Sequence, residues 1–264
     1  MSVFYGRALT AWGGSDISAP IIGKDFNWTG GDGTYQVRDD GGGNWRIKFL
    51  TSGVFTPLKD MTVDAFIVGG GGSGSYLKGT SEAASGGAGG FTKTIKAITL
   101  KANTPYNIIV GAGGAALTSN SAGNAGGATS AFEETADGGL GGSSGRSGTS
   151  TGGSGGSGGG GSDLGSLLAG NGGSDGSDGT ERGGSGQGAT TREFGEATGK
   201  LYSGGGGGYM HSYGMITKLG TGGDGGGADA KSSAPDNTGG GGGAQGGAGG
   251  SGIVVIRKHK EAAA

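Results

Sequence analysis

The chain has 264 residues, of which 75 are Gly, 31% are hydrophobic and 7% are aromatic. So little apolar side chain excludes a large oily core of the ordinary kind, and the absence of Cys excludes disulfide staples and thiolate metal sites. A formal net charge of −2, from 19 basic and 21 acidic residues, gives no electrostatic reason to expect nucleic acid or an acidic membrane surface as partner.

The first dozen residues lack a charged stretch followed by an apolar one, so no signal peptide is expected. No apolar run approaches the length of a transmembrane span, and no membrane insertion is expected. Residues 1–40 are mixed, with aromatics scattered at Phe4, Tyr5, Trp12, Phe26, Trp28 and Tyr35. From Trp45 to Phe49 apolar and basic residues alternate, which predicts a half-buried strand. Thr51 to Gly53 reads as a turn and Val54 to Thr56 as a strand returning from it. Thr62 to Val68 is β-branched and apolar and runs straight into Gly69–Gly72. Phe91–Leu100 and Pro105–Val110 predict a hairpin across Lys101–Thr104, and Ile253–Ile256 is the last strand. Nothing predicts a helix, since Gly costs roughly 1 kcal/mol per helical position relative to Ala.

Between Val110 and Gly252 the chain is dominated by Gly, Ser, Ala, Asn and Asp. Such composition reads by default as flexible linker, yet glycine recurs every third residue in blocks. One block is Gly152, Gly155, Gly158 and Gly161; another is Gly170, Gly173, Gly176 and Gly179; a third runs from Gly240 through Gly243, Gly246 and Gly249 to Gly252. Three residues is the repeat of the polyproline II conformation, which has no internal hydrogen bonds. Its N–H and C=O groups must therefore pair with neighbours or with water, and glycine on a contact face lets backbones come close enough to do so. Collagen shares the period but wants strict register and abundant Pro; this chain has 4 Pro and its register slips between blocks. The expected fold is mainly β plus irregular structure: a small antiparallel β scaffold with a bundle of short polyglycine or polyproline-II-type helices. Residues 41–110 would form the scaffold, completed by strand 252–258. Residues 111–251 would form the bundle with its binding loops, and 259–264 a tail whose closing Glu261–Ala264 reads as a cloning scar.

Chemistry-bearing motifs are sparse. Gly195–Leu201 is one residue short of a phosphate-binding loop and has Leu201 where a hydroxyl should hold magnesium. Asp175, Asp178 and Asp224 do not keep the spacing of calcium-binding glycine repeats and read as turn carboxylates. Neither cofactor nor metal is expected. His211 and His259 are the only histidines, no nucleophile elbow stands between a strand and a helix, and Glu133 with Glu134 reads as a solvated loop, so no catalysis is expected. The best binding candidate is Tyr209, Met210, His211 and Tyr213, directly after five glycines. Such side chains stack on sugar rings or pack on a protein loop; folding back to cap the glycine region is the competing reading. Arg192 and Phe194 come second, with a mutual Arg192–Glu193 pair as the structural alternative, and Tyr76 in Tyr76–Lys78 comes third.

Taken in order, TVDAFIVGGGGSG, GGFTKTIKAITL with PYNIIVGAGG, GQGATTREFGEATGKLYSGGGGG and the terminal GGSGIVVIR resemble the glycine-rich domain of phage and prophage tail-fibre proteins over roughly residues 45–258. Strands feeding glycine helices are also similar to the glycine-rich domain of anaplastic lymphoma kinase. The resemblance implies a virion protein at a tail fibre or tail tip that recognises a bacterial surface polysaccharide or protein. It implies other tail proteins as partners, a homo-trimer, and residues 1–40 as an attachment or oligomerisation segment. A purely structural virion component, such as a fibre cap or decoration protein, is the alternative.

Overall fold

A computed structural model describes residues 19–79, 81–145, 148–212 and 216–259. Among these residues the strands form two five-stranded sheets and two smaller ones, and every strand pair is antiparallel. The first large sheet contains β1 (Phe26–Trp28), β4 (Gly53–Pro57), β8 (Tyr106–Ile109), β9 (Thr129–Ala131) and β10 (Glu134–Ala136), in that order. The second has the order β2 (Tyr35–Gly41), β3 (Asn44–Phe49), β17 (Ile253–Lys258), β5 (Met61–Val68) and β7 (Thr92–Leu100). The four-stranded sheet runs β11 (Ser144–Gly145), β6 (Ser81–Ala84), β15 (Tyr209–Ser212) and β16 (Ile216–Leu219). The three-stranded sheet runs β12 (Thr149–Ser150), β13 (Ser162–Asp163) and β14 (Leu168–Ala169).

Period-two patterning decides how the large sheets pack. In β3, Trp45, Ile47 and Phe49 are buried on one face while Arg46 and Lys48 occupy the other. Those apolar residues meet Phe26, Trp28, Phe55 and Ile108 of the first sheet in one cluster, with Trp28 and Phe49 ring centroids 4.7 Å apart. Full burial of each such side chain contributes about 1.5–3 kcal/mol. β5 and β17 are buried on both faces. Val63, Ala65, Ile67, Val254 and Ile256 point into the sandwich. Phe66, Val68, Ile253 and Val255 pack on Phe194 and Tyr202 on the other side. Two-sided burial explains why AFIV and IVVI read as continuous apolar runs.

The six strands predicted between Trp45 and Val110 and at Ile253–Ile256 sit where expected but choose other partners, and the remaining strands lie in segments where none was expected. Val54–Thr56 does not return along Trp45–Phe49: β4 pairs with β1 and β8 and faces β3 across the core. Phe91–Leu100 and Pro105–Val110 are not a hairpin, because β7 pairs with β5 whereas β8 pairs with β4 and β9. The connection between them is held by the Asp60 carboxylate, which accepts from the Ala102 N–H and Lys101 Nζ. β1 and β2 lie wholly or mostly within residues 1–40, and β9 and β10 within 111–251, so both segments supply strands to the sandwich. Phe4, Tyr5 and Trp12 lie outside the described residues.

The expected bundle of glycine helices does not occur as helical elements. Among the described residues the single helical turn is a 3-10 turn at Glu193–Gly195. The physical reason is that the glycine segments make no internal hydrogen-bond ladder; their bonds go to other segments. Along Gly69–Ser75 the donors turn in threes. Gly69, Gly72 and Ser75 donate to Phe91, Ala88 and Ser85; Gly70 and Ser73 to Gly127 and Asn124; Gly71 and Gly74 to Gly250 and Gly247, all at 2.8–3.0 Å. Three antiparallel neighbours thus share one segment. Residues 69–75, 82–90 and 202–210 are buried along their whole length, and a Cβ at Gly71 would overlap the carbonyl oxygen of Gly240. This interior consists of peptide groups, and every N–H along Gly69–Ser75 finds a carbonyl, as burial demands.

Candidate functional site

The glycine segments connect two ends. Those leaving β5, β8 and β10 start at the sandwich, and the reversals at their far side carry the two small sheets and the connecting loops. At this far end Tyr76 exchanges N–H···O bonds of 3.0 Å with Ser121, and the Lys78 N–H donates to Asn120 Oδ1 at 2.8 Å. Gln245 ties the loops together: its Nε2 donates to the Leu77 carbonyl at 2.8 Å and to Glu82 Oε2 at 3.0 Å. Glu82 Oε1 in turn accepts from the Gly79 N–H at 2.7 Å. The β6–β15 pairing sets His211 opposite Glu82 and Tyr209 opposite Ala84. Tyr76 and the stretch from Tyr209 are therefore brought to one end from 133 residues apart in sequence (209 − 76).

Their exposure differs along β15. Tyr209 is 6% exposed and Met210 is fully buried, with Ala84, Ala230 and Ala244 around the tyrosine ring. Burial first, then the Glu82 carboxylate, holds the Tyr209 phenol above its ordinary pKa, and Lys231 Nζ lies 4.8 Å from the ring centroid. These two side chains furnish the interior of the far end rather than its surface. His211 is half-buried, with Nδ1 2.9 Å from Thr217 Oγ1. Tyr213 lies outside the described residues. Accessible groups at this end include Lys78 and Asn120 on one side and Thr217, Lys218 and Leu219 of edge strand β16 on the other. Gln245 carried a sequence signal: it is the single long side chain in the run GGGGGAQGGAGG. Asn120 and Lys218 carried none, because their relevance comes from contacts made across the chain.

Arg192 and Phe194 lie at the other end, against the second large sheet. Arg192 does not pair with Glu193. Its Nε donates to Asp175 Oδ2 at 2.9 Å, and Glu193 Oε1 accepts from Arg46 at 2.6 Å. Glu193 is buried, and the Tyr202 hydroxyl donates to its other oxygen at 3.4 Å. Burial foremost, and then the Glu193 charge, keeps the Tyr202 phenol protonated far above its usual range. Phe194 takes a left-handed φ of 58° to lodge beside Phe66, with the Arg257 guanidinium 4.0 Å above its ring. Arg257 also donates to Asp64 at 3.1 Å and to Glu196 at 2.6 Å, and His259 Nδ1 lies 2.6 Å from Asp64. The TTREFGE stretch is a clamp between glycine segments and sandwich. Of the turn carboxylates, Asp178 accepts from the Gly186 N–H and Asp175 from Thr190 and Arg192. Among the described residues no three His, Asp or Glu side chains converge on a point where a metal ion could sit.

A model of the family described as "Glycine-rich domain" matches residues 50–259. No curated protein matches the chain.

Proposed function

The chain belongs to the glycine-rich domain family over residues 50–259, and from that premise we propose that it is a virion attachment protein of the phage tail-fibre type. Its glycine segments form a polyglycine-II-type bundle, and its far-end loops recognise a bacterial surface polysaccharide or protein. The three-residue recurrence of donor direction along Gly69–Ser75 supports the bundle, because a three-residue screw turns each successive N–H toward a different neighbour. One observation carries the function. The interior from Gly204 to Gly208 is backbone alone, and varied, accessible side chains such as Lys78 and Lys218 gather at the reversals of one end. Binding chemistry resides on loops held by a rigid base. Other tail proteins would be its partners, and a trimer is what the tail-fibre resemblance implies.

Binding of labelled protein to isolated bacterial envelopes tests the reading. Replacement of Tyr76, Lys78 and Lys218 by Ser is expected to abolish attachment and leave the melting temperature nearly unchanged. The burial of Tyr209 and Met210 favours a second reading, a structural cap or decoration protein, since a cap would turn these side chains inward. Absence of wild-type attachment to any envelope, with the protein located on virions by immunogold microscopy, would select that second reading.

A further inference from the structure

A groove opens at the sandwich end remote from the glycine segments, where the two large sheets part. Its volume is about 750 Å³, and it is lined by the end of β7, the start of β8 and the turn joining β9 to β10. Ile98, Tyr106 and Phe132 form an apolar floor continuous with the sandwich core, and the two rings lie 5.7 Å apart at 56°. Thr104 and Glu133 stand beside that floor, and Thr99, Asn107, Ser130 and Thr135, which alternate with core-facing neighbours, line its outer lip. None of these polar side chains takes a hydrogen bond within the protein among the described residues.

The turn that supplies Phe132 is strained. Ala131 pairs with Glu134, so Phe132 and Glu133 are the two central residues of a tight hairpin, with φ of 53° and 66°. Two positive φ values define the turn that Asn-Gly occupies without strain, whereas Phe and Glu both meet a steric penalty there. Backbone strain of this kind persists where the surrounding structure holds it, and it clusters at ligand sites. Phe132 packs on Tyr106 while both rings keep part of their surface open to the groove.

We propose that this groove binds a neutral glycan segment. The apolar face of a sugar ring would lie on Tyr106 or Phe132, and its equatorial hydroxyls would bond the threonines, Asn107 and Glu133, the arrangement of an apolar pocket with a few convergent polar groups. Glu133 brings a negative charge to the lining and no Lys or Arg is present to offset it, which disfavours sialylated, uronic or phosphorylated saccharides. This site stands at the opposite end from the far-end loops and is independent of the attachment reading.

Titration of the full chain with tetrasaccharides of β-1,4-glucose, α-1,4-glucose and β-1,4-N-acetylglucosamine tests the proposal by amide chemical shifts. At least one is expected to give saturable shifts confined to residues 98–107 and 130–135. Replacing Phe132→Asn together with Glu133→Gly is expected to raise the melting temperature and weaken binding by about tenfold, the loss typical of removing a central aromatic contact. Asn107→Leu, which leaves both rings in place, is expected to weaken binding with no gain in stability. Absence of shifts with all three saccharides up to about 10 mM, the weak limit of useful recognition, overturns the proposal. So does stronger binding of a polyuronate, or unchanged binding by the double variant. Concentration-dependent dimerisation that the double variant abolishes would assign the groove to a second copy of the chain and overturn it as well.

Discussion

Phe49 and Ile256 in the sandwich are fully buried against other side chains, whereas Gly71 and Gly206 in the glycine region are buried against carbonyl oxygens. The sandwich excludes water by apolar area, which is non-directional and tolerates some repacking. The glycine region excludes water by pairing peptide groups, which is directional and leaves no room for adjustment. A typical hydrogen bond contributes a net of only about 1 kcal/mol, while fixing a residue's backbone costs roughly 1–2 kcal/mol. The glycine region therefore depends on its attachments: strands at both ends of its segments, and the clamp in which Arg46, Glu193, Phe194 and Arg257 join it to the second large sheet. A region built of backbone is rigid where it is held, and varies its chemistry only where the segments reverse.

The largest expected effect comes from adding volume to the glycine region. Gly71→Val and Gly173→Val each place a side chain where a carbonyl oxygen already sits, that of Gly240 and of Ser177 respectively. Each is expected to cost more than about 4 kcal/mol, enough to prevent folding of a marginally stable chain. Circular dichroism and melting would read it. Ser174→Val is the control one residue away. It loses the bond that the Asp224 N–H makes to Ser174 Oγ at 2.6 Å and should cost about 1 kcal/mol. Equal melting temperatures for the three variants would remove the distinction between glycine and side-chain positions.

Within the sandwich, Phe49→Ala should cost about 3–5 kcal/mol through lost burial and a cavity, with a folded protein still recovered. A Phe49→Ala variant less stable than Gly71→Val would reverse the comparison drawn above.

Acid should act more on the second large sheet than on the glycine region. Burial pushes the Asp64 carboxyl up, but hydrogen bonds from His259, the Ala97 N–H and Arg257 outweigh it and hold the group below its ordinary range. A carboxylate depressed in the folded state stabilises above its unfolded pKa of about 3.9, and that contribution is lost as pH falls through the folded value. Asp64→Asn should therefore be less stable at neutral pH and lose less on acidification. Asp175 is also depressed, with burial opposing hydrogen bonds from Thr190, the Thr191 N–H and Arg192, but its side chain is 34% exposed and Asp64's is 2%. Asp175→Asn should give the smaller change in the acid limb of a urea-melting series.

Strand positions were legible because period and composition act locally: the predicted strand at 62–68 falls within β5, and that at 253–256 within β17. The binding stretch was half legible. Composition marked Tyr209, Met210 and His211 as chemically dense, but Tyr209 packs among Ala84, Ala230 and Ala244 and Met210 is fully buried, an environment that only the fold supplies. The role of TTREFGE was open in the sequence, since a carboxylate beside an arginine reads as a pair until a nearer partner is known. Arg46, 147 residues away, is that partner for Glu193.

By itself the sequence determined where the six most apolar strands lie, that glycine recurs in threes between them, and that an ordinary oily core cannot fill the whole chain. Tertiary structure alone decided the partners: β4 with β1 and β8, Gly71 with Gly250, Glu193 with Arg46. The reason is that patterning specifies which face of a segment is apolar, whereas peptide N–H and C=O groups are the same at every residue. Which segments pair is set by the simultaneous closure of both sheets and of all the glycine segments between them.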